Sequence, residues 1–209
     1  MTTEMPIIDA GSLALLDILP RQGEWNEADY RWIVGTSDRL VELIYGRVEA
    51  VPMPSEKHQA IAIYLLWLLR EVAKQIGGIA FIAPLTIKIG PRHFRQPDLL
   101  MLLQADDSRR SATLWTGADL VVEVVSPDKP ERDTVDKVRD YAQAGIPEYW
   151  IVNPLTQTIT VLQLEADDYV VHGEWGRGEI ATSVLLPNFA VNVSDALDGR
   201  RDSFHITAQ

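Results

Sequence analysis

The chain lacks cysteine altogether, which excludes disulfide bonds, thiolate metal sites and cysteine nucleophiles. Basic residues are few: 19 lysines and arginines face 30 acidic residues, so the formal net charge is −11. This balance argues against a broad basic surface for nucleic acid. It leaves room, however, for a small site whose carboxylates hold a divalent cation.

Long hydrophobic runs and several short catalytic signatures are also missing. The longest charge-free apolar segment of helical type, His58 to Leu69, is shorter than the ~20 residues that span a bilayer. The N-terminus shows no basic and apolar pattern of a secretory signal. There is no GxxxxGK[ST] phosphate loop, no GxSxG elbow and no HExxH zinc motif. We therefore expect a cytoplasmic protein without a membrane segment.

The patterns that are present predict an α/β domain. Residues 1–25 are expected to form an irregular arm, and residues 26–209 a single domain. Asn26 is placed to cap a short helix, a hairpin follows around Gly46, and Ser55 and Gly77 bound a long helix. Later strands are predicted over residues 79–83, 85–89, 98–103, 120–125, 148–152, 158–164 and 169–172, with a helix over residues 134–144. These elements favour a central mixed β-sheet flanked by helices, with an N-terminal helix and hairpin.

The segment DLVVEVVS places Glu123 inside a strongly β-prone run. Continuous apolar character indicates a central strand, where an ionised glutamate loses hydration at a cost of several kcal/mol unless a partner compensates. Alternation puts Val121, Glu123 and Val125 on one face of that strand. Glu123 either pairs with a buried arginine, lies near a sheet edge, or has a functional role, and the strand alone leaves these alternatives open.

Asp98 begins another apolar strand, in the segment RQPDLLML, where Pro97 marks the strand start. By itself, an aspartate at this position is typical of a turn or a cap. If the two strands are neighbours, however, Asp98 and Glu123 converge, and two adjacent carboxylates stay ionised only when a cation lies between them. Ligands that are all oxygen favour Mg²⁺ or Mn²⁺ over zinc.

Lys137 lies at the border of the apolar face of the next helix, with Tyr141 one turn further on. The lysine can reach back toward the end of the preceding strand. Alternatively, it is exposed and pairs with Asp133 at i−4, which is worth only a few tenths of a kcal/mol. Tyr141 can support Lys137, although a packing role suits it as well.

Taken in order, Pro97-Asp98, Val122-Glu123-Val124 and a lysine resemble the PD-(D/E)XK nuclease pattern. The longer segments resemble one branch of it, the Uma2 family of endonucleases, also catalogued as domain of unknown function 820. These segments are VELIYGRVEAVPMPSEKHQ, RQPDLLML, DLVVEVVSPDKPERDTVDKVRDYAQAGIPEYWIVNP and LLPNFAV. The superfamily pattern has its lysine two positions after the glutamate. This chain has Val125 there, so the matching lysine is Lys137 on the helix.

The resemblance implies a restriction-endonuclease-like core that hydrolyses nucleic-acid phosphodiester bonds, with DNA the favoured substrate. Asp98 and Glu123 would hold Mg²⁺ or Mn²⁺, with the Val124 backbone carbonyl as a further ligand, and the metal would activate a water molecule. Lys137 would orient that water or neutralise charge developing on the phosphorane.

Glu42 and His58 also match family positions. Glu42, in the first strand, would bind the metal directly or through water; alternatively, it is an outward acid of the hairpin. His58, in the first turn of the long helix, would contact phosphate or relay a proton; alternatively, it is an ordinary helix-end histidine.

Other functions and partners stay open from the sequence. A non-catalytic module of the same fold, binding DNA or a protein partner, would suit the net charge of −11 and the missing strand lysine. A hydrolase of a small phosphodiester would suit the acidic surface. The helix is apolar on nearly every face from Ala60 to Leu69, which predicts a homodimer. The basic side chains that would form a local lip for phosphates, or else are solvated loop charges, are Arg92, His93, Arg95, Arg109 and Arg110.

Overall fold

A computed structural model of the chain describes residues 19–37 and 39–199. Most of the predicted N-terminal arm, residues 1–18, therefore lies outside the described residues, as do residues 38 and 200–209. Helix α1 (Glu27–Thr36) begins after Asn26, whose side chain accepts hydrogen bonds from two backbone N–H groups of the first turn. Strands β1 (Val41–Ile44) and β2 (Arg47–Ala50) form the predicted hairpin.

Helix α2 (Glu56–Ile76) is the predicted long helix. The Ser55 side chain accepts a hydrogen bond from the His58 N–H, and Gly77 ends the helix in the left-handed conformation, as the capping residues predicted. One face of the helix lies in the protein core, through Ile61, Ala62, Leu65, Leu69 and Ala73. This face packs on the main sheet and places the first turn of α2 beside the ends of two central strands.

The main sheet has six strands, in the order β11-β10-β9-β8-β6-β3. Strand β8 (Leu120–Val124) pairs antiparallel with β6 (Leu99–Leu102) and parallel with β9 (Glu148–Asn153), so the sheet is mixed and β8 is central. Glu123 is therefore not at a sheet edge. The remaining strands are β3 (Ile79–Ile82), β10 (Thr158–Glu165) and β11 (Asp168–Gly176).

A second sheet of five strands packs beside the first, in the order β2-β1-β5-β4-β7. Its other members are β4 (Thr86–Gly90), β5 (His93–Arg95) and β7 (Leu114–Trp115). The predicted central mixed sheet flanked by helices is confirmed. The second sheet was not predicted, because β5 and β7 are too short to show a periodic pattern. The predicted helix over residues 134–144 is a π-helical turn (Arg132–Asp136) followed by α3 (Lys137–Gln143).

The chain closes on a small two-stranded sheet, β12 (Ile180–Thr182) and β13 (Ala190–Asn192), followed by helix α4 (Val193–Asp198). Buried Glu148, at the start of β9, anchors the loop between these strands. Its carboxylate accepts hydrogen bonds of 2.6–2.8 Å from Trp150 Nε1, Ser183 Oγ and the backbone N–H groups of Val184 and Leu185.

The two faces of the main sheet bury separate hydrophobic cores. Val122 and Val124 belong to the core that contains α2, whereas Val121 and Val125 belong to the core that contains Tyr141 of α3. This is the alternation expected for a central strand. Over the residues that the structure describes, no helix is both long enough and apolar enough to cross a bilayer.

Candidate active site

Asp98 and Glu123 lie next to each other, as expected if their strands are neighbours. Leu99 pairs with Val122 across β6 and β8, which brings the residue before β6 level with Glu123. The Asp98 N–H lies 3.4 Å from Glu123 Oε2, and Asp98 Oδ2 accepts a 2.7 Å hydrogen bond from the Val124 N–H. The two carboxyl groups therefore flank one point at the end of two central strands.

Lys137 reaches this acid pair from helix α3. Its Nζ lies 2.8 Å from Glu123 Oε1 and 2.9 Å from Asp133 Oδ1. The Lys137 side chain is only 6% exposed, so its pairing with Asp133 is not the weak surface contact considered from the sequence. Tyr141, one turn further along the helix, is buried and donates a 2.6 Å hydrogen bond to Glu123 Oε1. The partner of Glu123 is thus a lysine and a tyrosine, rather than an arginine.

Burial controls the charges of this cluster. Burial raises the pKa of Glu123 to about 8; the negative charges of Asp98 and Asp133 add to this effect, while Lys137 opposes it. Burial would lower the pKa of Lys137, but the surrounding carboxylates outweigh it, so this pKa is raised. Lys137 therefore stays an ammonium ion, and Glu123 ionises fully at neutral pH only when a further positive charge compensates for burial.

His58 contacts the acid pair from the first turn of α2. Its Nε2 lies 3.1 Å from Asp98 Oδ2, and the backbone of Val124 is a further hydrogen-bond partner of the ring. Burial works to lower the pKa of His58, but these partners and the charge of Asp133 outweigh burial, and the pKa is raised. His58 is therefore part of the site, and the Val124 backbone that was predicted to ligate metal already contacts it.

Glu42 lies near the cluster but is held by other groups. Its Oε2 lies 2.7 Å from Arg95 Nη1, and its Oε1 accepts a 2.9 Å hydrogen bond from the Gln96 N–H. Burial works to raise its pKa, but the charges of Lys137 and Arg95 and the hydrogen bonds lower it. Glu42 is only 4% exposed, so the alternative of an outward hairpin acid was wrong. Both of its oxygens are engaged, which fits a contact with metal through water better than direct ligation.

Arg95, which the sequence indicated only as part of a basic lip or as a solvated loop charge, is buried beside the site. Its guanidinium contacts Glu42 and also donates two hydrogen bonds to Asp140 Oδ2 on α3, one turn after Lys137. Burial opposes the charge of Asp140, but His93, 3.3 Å away, and Arg95 outweigh it and lower the pKa of Asp140 to about 2. His93 and Arg95 are buried, so the prediction of a basic lip or of solvated loop charges was wrong for both.

A cavity of about 70 Å³ is lined by Asp98, Glu123, His58 and Lys137. In the described part of the chain, no three His, Asp or Glu side chains are placed to hold a metal ion by themselves. The donors nevertheless fit Mg²⁺, which is usually held by one or two carboxylates with water and substrate phosphate completing its shell. Among the described residues, Asp98 Oδ1 accepts no hydrogen bond and Glu123 Oε2 has only the 3.4 Å contact, so each carboxylate keeps an oxygen for a cation.

A mixed sheet flanked by helices, with an acid pair at two strand ends and a helix lysine beside it, defines a nuclease-like fold. The chain is similar in structure to a protein from Anabaena variabilis, described as "a putative nuclease belonging to DUF820", with a TM-score of 0.65 and 21% sequence identity. The match covers 78% of this chain and 92% of that one. The model of the Uma2 family, described as "Putative restriction endonuclease", matches residues 26–194. The chain therefore belongs to the Uma2 family. A search of curated proteins gave no match.

Proposed function

We propose that this protein is a Mg²⁺-dependent endonuclease that hydrolyses phosphodiester bonds of DNA. The observation that carries the proposal is the position of Lys137, whose ammonium group lies 2.8 Å from Glu123 beside Asp98 although a helix supplies it. It brings to the acid pair the positive charge that the PD-(D/E)XK pattern places on the strand. Membership of a family described as endonucleases supports the same reaction class.

Asp98 and Glu123 would hold Mg²⁺ or Mn²⁺, with the Val124 carbonyl as a further ligand. Mg²⁺ bound there would polarise the scissile phosphate and lower the pKa of the attacking water. Lys137 stabilises negative charge that develops on the phosphate, and it needs no rearrangement because Glu123 and Asp133 already fix its position. His58 lines the same cavity, where it can contact phosphate or relay a proton.

Calorimetric titration with Mn²⁺ or Mg²⁺ tests the metal site. We expect the native protein to bind the ion, and the Asp98→Ala and Glu123→Ala variants to lose binding while circular dichroism shows that they remain folded. Asp128→Ala, which removes an exposed acid close to the site, should bind like the native protein. If the native protein binds neither ion, with or without a DNA oligonucleotide that supplies phosphate oxygens, the proposal is wrong.

A nicking assay on supercoiled plasmid tests the reaction itself. Native protein with Mn²⁺ should convert the plasmid to nicked and linear forms, and the two alanine variants should not. A non-catalytic module that binds DNA or a protein partner is the second candidate, favoured by the net charge of −11 and by the internal pairing of Arg95. Metal binding without cleavage of DNA, RNA or a small phosphodiester would favour that module.

The predicted homodimer through α2 is a further part of the proposal. The residues of α2 that face the core are buried, whereas Ile63, on another face of the same helix, is 49% exposed. Light scattering at micromolar concentration should give the mass of a dimer for the native protein and of a monomer for Ile63→Glu. Lys74→Glu, near the end of the same helix, should stay dimeric. A native monomer would contradict this proposal.

A further inference from the structure

A second cavity, of about 580 Å³, adjoins the candidate active site at the edge strand β3. Ala83 lines the catalytic cavity, and its backbone N–H donates a 2.9 Å hydrogen bond to the carbonyl of Asp98. The residues on either side, Ile82 and Pro84, line the second cavity. The two cavities are therefore separated by about one residue of backbone. A nucleic-acid strand whose phosphate lies at Asp98 can place a neighbouring nucleotide in the second cavity.

An exposed aromatic ring forms one wall of this cavity. Phe81, on β3, is 37% exposed, and its backbone pairs with Leu100, which belongs to the same core as Tyr141. Phe81 therefore projects from the same face of the sheet as Glu123. Buried Trp115 packs against its ring edge-on, with centroids 5.7 Å apart at 86°. This contact fixes the orientation of the Phe81 ring while leaving part of it accessible.

Arg110 lies across from the Phe81 ring. Its Cζ is 5.8 Å from the ring centroid, and its side chain donates a hydrogen bond of 2.6 Å to the Ala105 carbonyl. Contact between stacked groups occurs at about 3.5–4.0 Å, so a planar ring placed between Phe81 and Arg110 needs about 7–8 Å. A shift of roughly 1–2 Å by the exposed Arg110 would admit it. Arg109, in contrast, is tied to Asp107 and Asp119 at 2.7 Å each.

The charges of the cavity favour a base over a phosphate. Asp106 and Asp107 line the same cavity as Arg110 and would repel a phosphate group. A nucleobase is neutral, presents a flat π face to Phe81 and Arg110, and has N–H groups that can donate hydrogen bonds to a carboxylate.

We propose that Phe81, Arg110 and Trp115 form a nucleobase subsite that binds one unpaired base next to the scissile phosphate. This inference rests on the proposed nuclease function and narrows its substrate class. Because a base inside a duplex is stacked and paired, the subsite selects single-stranded or locally unpaired nucleic acid. Recognition is tolerant of sequence, since every base has a π face.

Fluorescence anisotropy with Ca²⁺ in place of Mg²⁺ tests the subsite on two labelled strands. One is a single-stranded oligonucleotide, and the other is the same strand made entirely of abasic nucleotides, which keeps the phosphates. We expect native protein to bind the strand with bases roughly 5-fold to 100-fold more tightly. Phe81→Leu keeps an apolar contact with Trp115 but removes the ring, so it should bind both strands with the affinity that the native protein has for the abasic strand. Phe81→Trp should restore the tighter binding of the strand with bases. Trp32→Leu, a change to an exposed aromatic residue on α1, should have no effect.

The outcomes separate the two proposals. If Phe81→Leu binds both strands as the native protein does, or loses affinity equally for both, the nucleobase subsite is wrong and the nuclease proposal stands. If native protein binds neither strand and cuts no nucleic acid, the nuclease proposal fails and the subsite fails with it.

Discussion

Lys137 Nζ lies 2.8 Å from Glu123 Oε1, and helix α3 rather than strand β8 carries the lysine. The strand position that the superfamily pattern assigns to lysine holds Val125, which is buried in an apolar core. The distance between the ammonium group and the acid pair is therefore set by how α3 docks on the sheet. Contacts that hold α3 in place should affect the reaction even when they do not touch the substrate.

Replacing Lys137 by Met should impair both stability and reaction. Glu123 and Asp133 would be left buried without their cation, which lowers the free energy of unfolding by about 3–5 kcal/mol. Loss of the positive charge beside the phosphate should reduce plasmid nicking by roughly 10²–10³-fold. Urea denaturation and the nicking assay measure the two effects, with Lys74→Met on α2 as an exposed control. Native nicking by the Lys137 variant would contradict the role assigned here.

The Arg95–Asp140 ion pair should position α3. Arg95→Met would remove the guanidinium that Asp140 and Glu42 share, although His93 still contacts Asp140 and the Gln96 N–H still donates to Glu42. We expect the free energy of unfolding to fall by about 3 kcal/mol. In a double-mutant cycle with Asp140→Asn, we expect an interaction energy of about 0.5–3 kcal/mol. Arg95 holds the helix that carries Lys137 and does not touch the proposed metal ligands Asp98 and Glu123. In Arg95→Met, nicking should therefore fall more than Mn²⁺ affinity does. Strictly additive costs, or equal losses of nicking and affinity, would show that the pair has no positioning role.

The effect of Mg²⁺ on stability should depend on pH through Glu123. Its pKa is raised from 4.5 to about 8 in the folded protein, so the folded state holds this proton more tightly than the unfolded chain does. The stability contributed by that proton is full below about pH 4.5 and is lost as pH rises toward 8. Mg²⁺ binds the ionised carboxylate, so it should raise Tm more at pH 8 than at pH 6.

The raised pKa of His58 also makes stability fall as pH rises. The Glu123→Gln variant keeps His58, so comparing it with the native protein isolates the contribution of Glu123. Differential scanning fluorimetry with and without Mg²⁺ should show no Mg²⁺-dependent rise in Tm for the variant at either pH. A shift in the native protein that is the same at pH 6 and pH 8 would contradict the link between Glu123 and the metal.

Glu148 should matter for stability alone. In Glu148→Ala, the Trp150 indole and the backbone N–H groups of Val184 and Leu185 would lose their acceptor, and each unsatisfied group costs about 1–3 kcal/mol. We expect a free energy of unfolding lower by at least about 3 kcal/mol, with Mn²⁺ affinity of the folded fraction unchanged. A large change in Mn²⁺ affinity would mean that the β12–β13 loop communicates with the site.

Local signals in the sequence were enough to predict the elements of the site. Capping residues located α2, the continuous apolar run placed Glu123 on a central strand, and alternation assigned its face. The neighbouring strand then brought Asp98 to Glu123. Whether Lys137 reaches the acid pair was open from the sequence, and the structure places its Nζ 2.8 Å from Glu123. Short-range periodicity could place these residues at strand ends or on a helix face, whereas their roles were expected only from the resemblance to the Uma2 family.

Contacts between distant segments could not be predicted in the same way. Strand β5 is three residues long, and its pairing with β1 and β4 is set by tertiary packing rather than by its own composition. The Arg95–Asp140 pair joins residues 45 positions apart and leaves no periodic signal in either segment. The sequence therefore showed the groups at the acid pair but not the buried ions that hold α3 against it.

Buried carboxylates on the adjacent strands β8 and β9 should follow different evolutionary courses. Glu148 accepts hydrogen bonds from four protein donors, so it stabilises the fold whether or not the protein is active. Glu123, in contrast, is costly to keep ionised unless it binds a cation. In a lineage that keeps this fold but gives up cleavage, selection would remove the acid at position 123 and retain the one at position 148. Under the proposed function, an acid at both positions is the pattern expected of a homologue that still cleaves phosphodiester bonds.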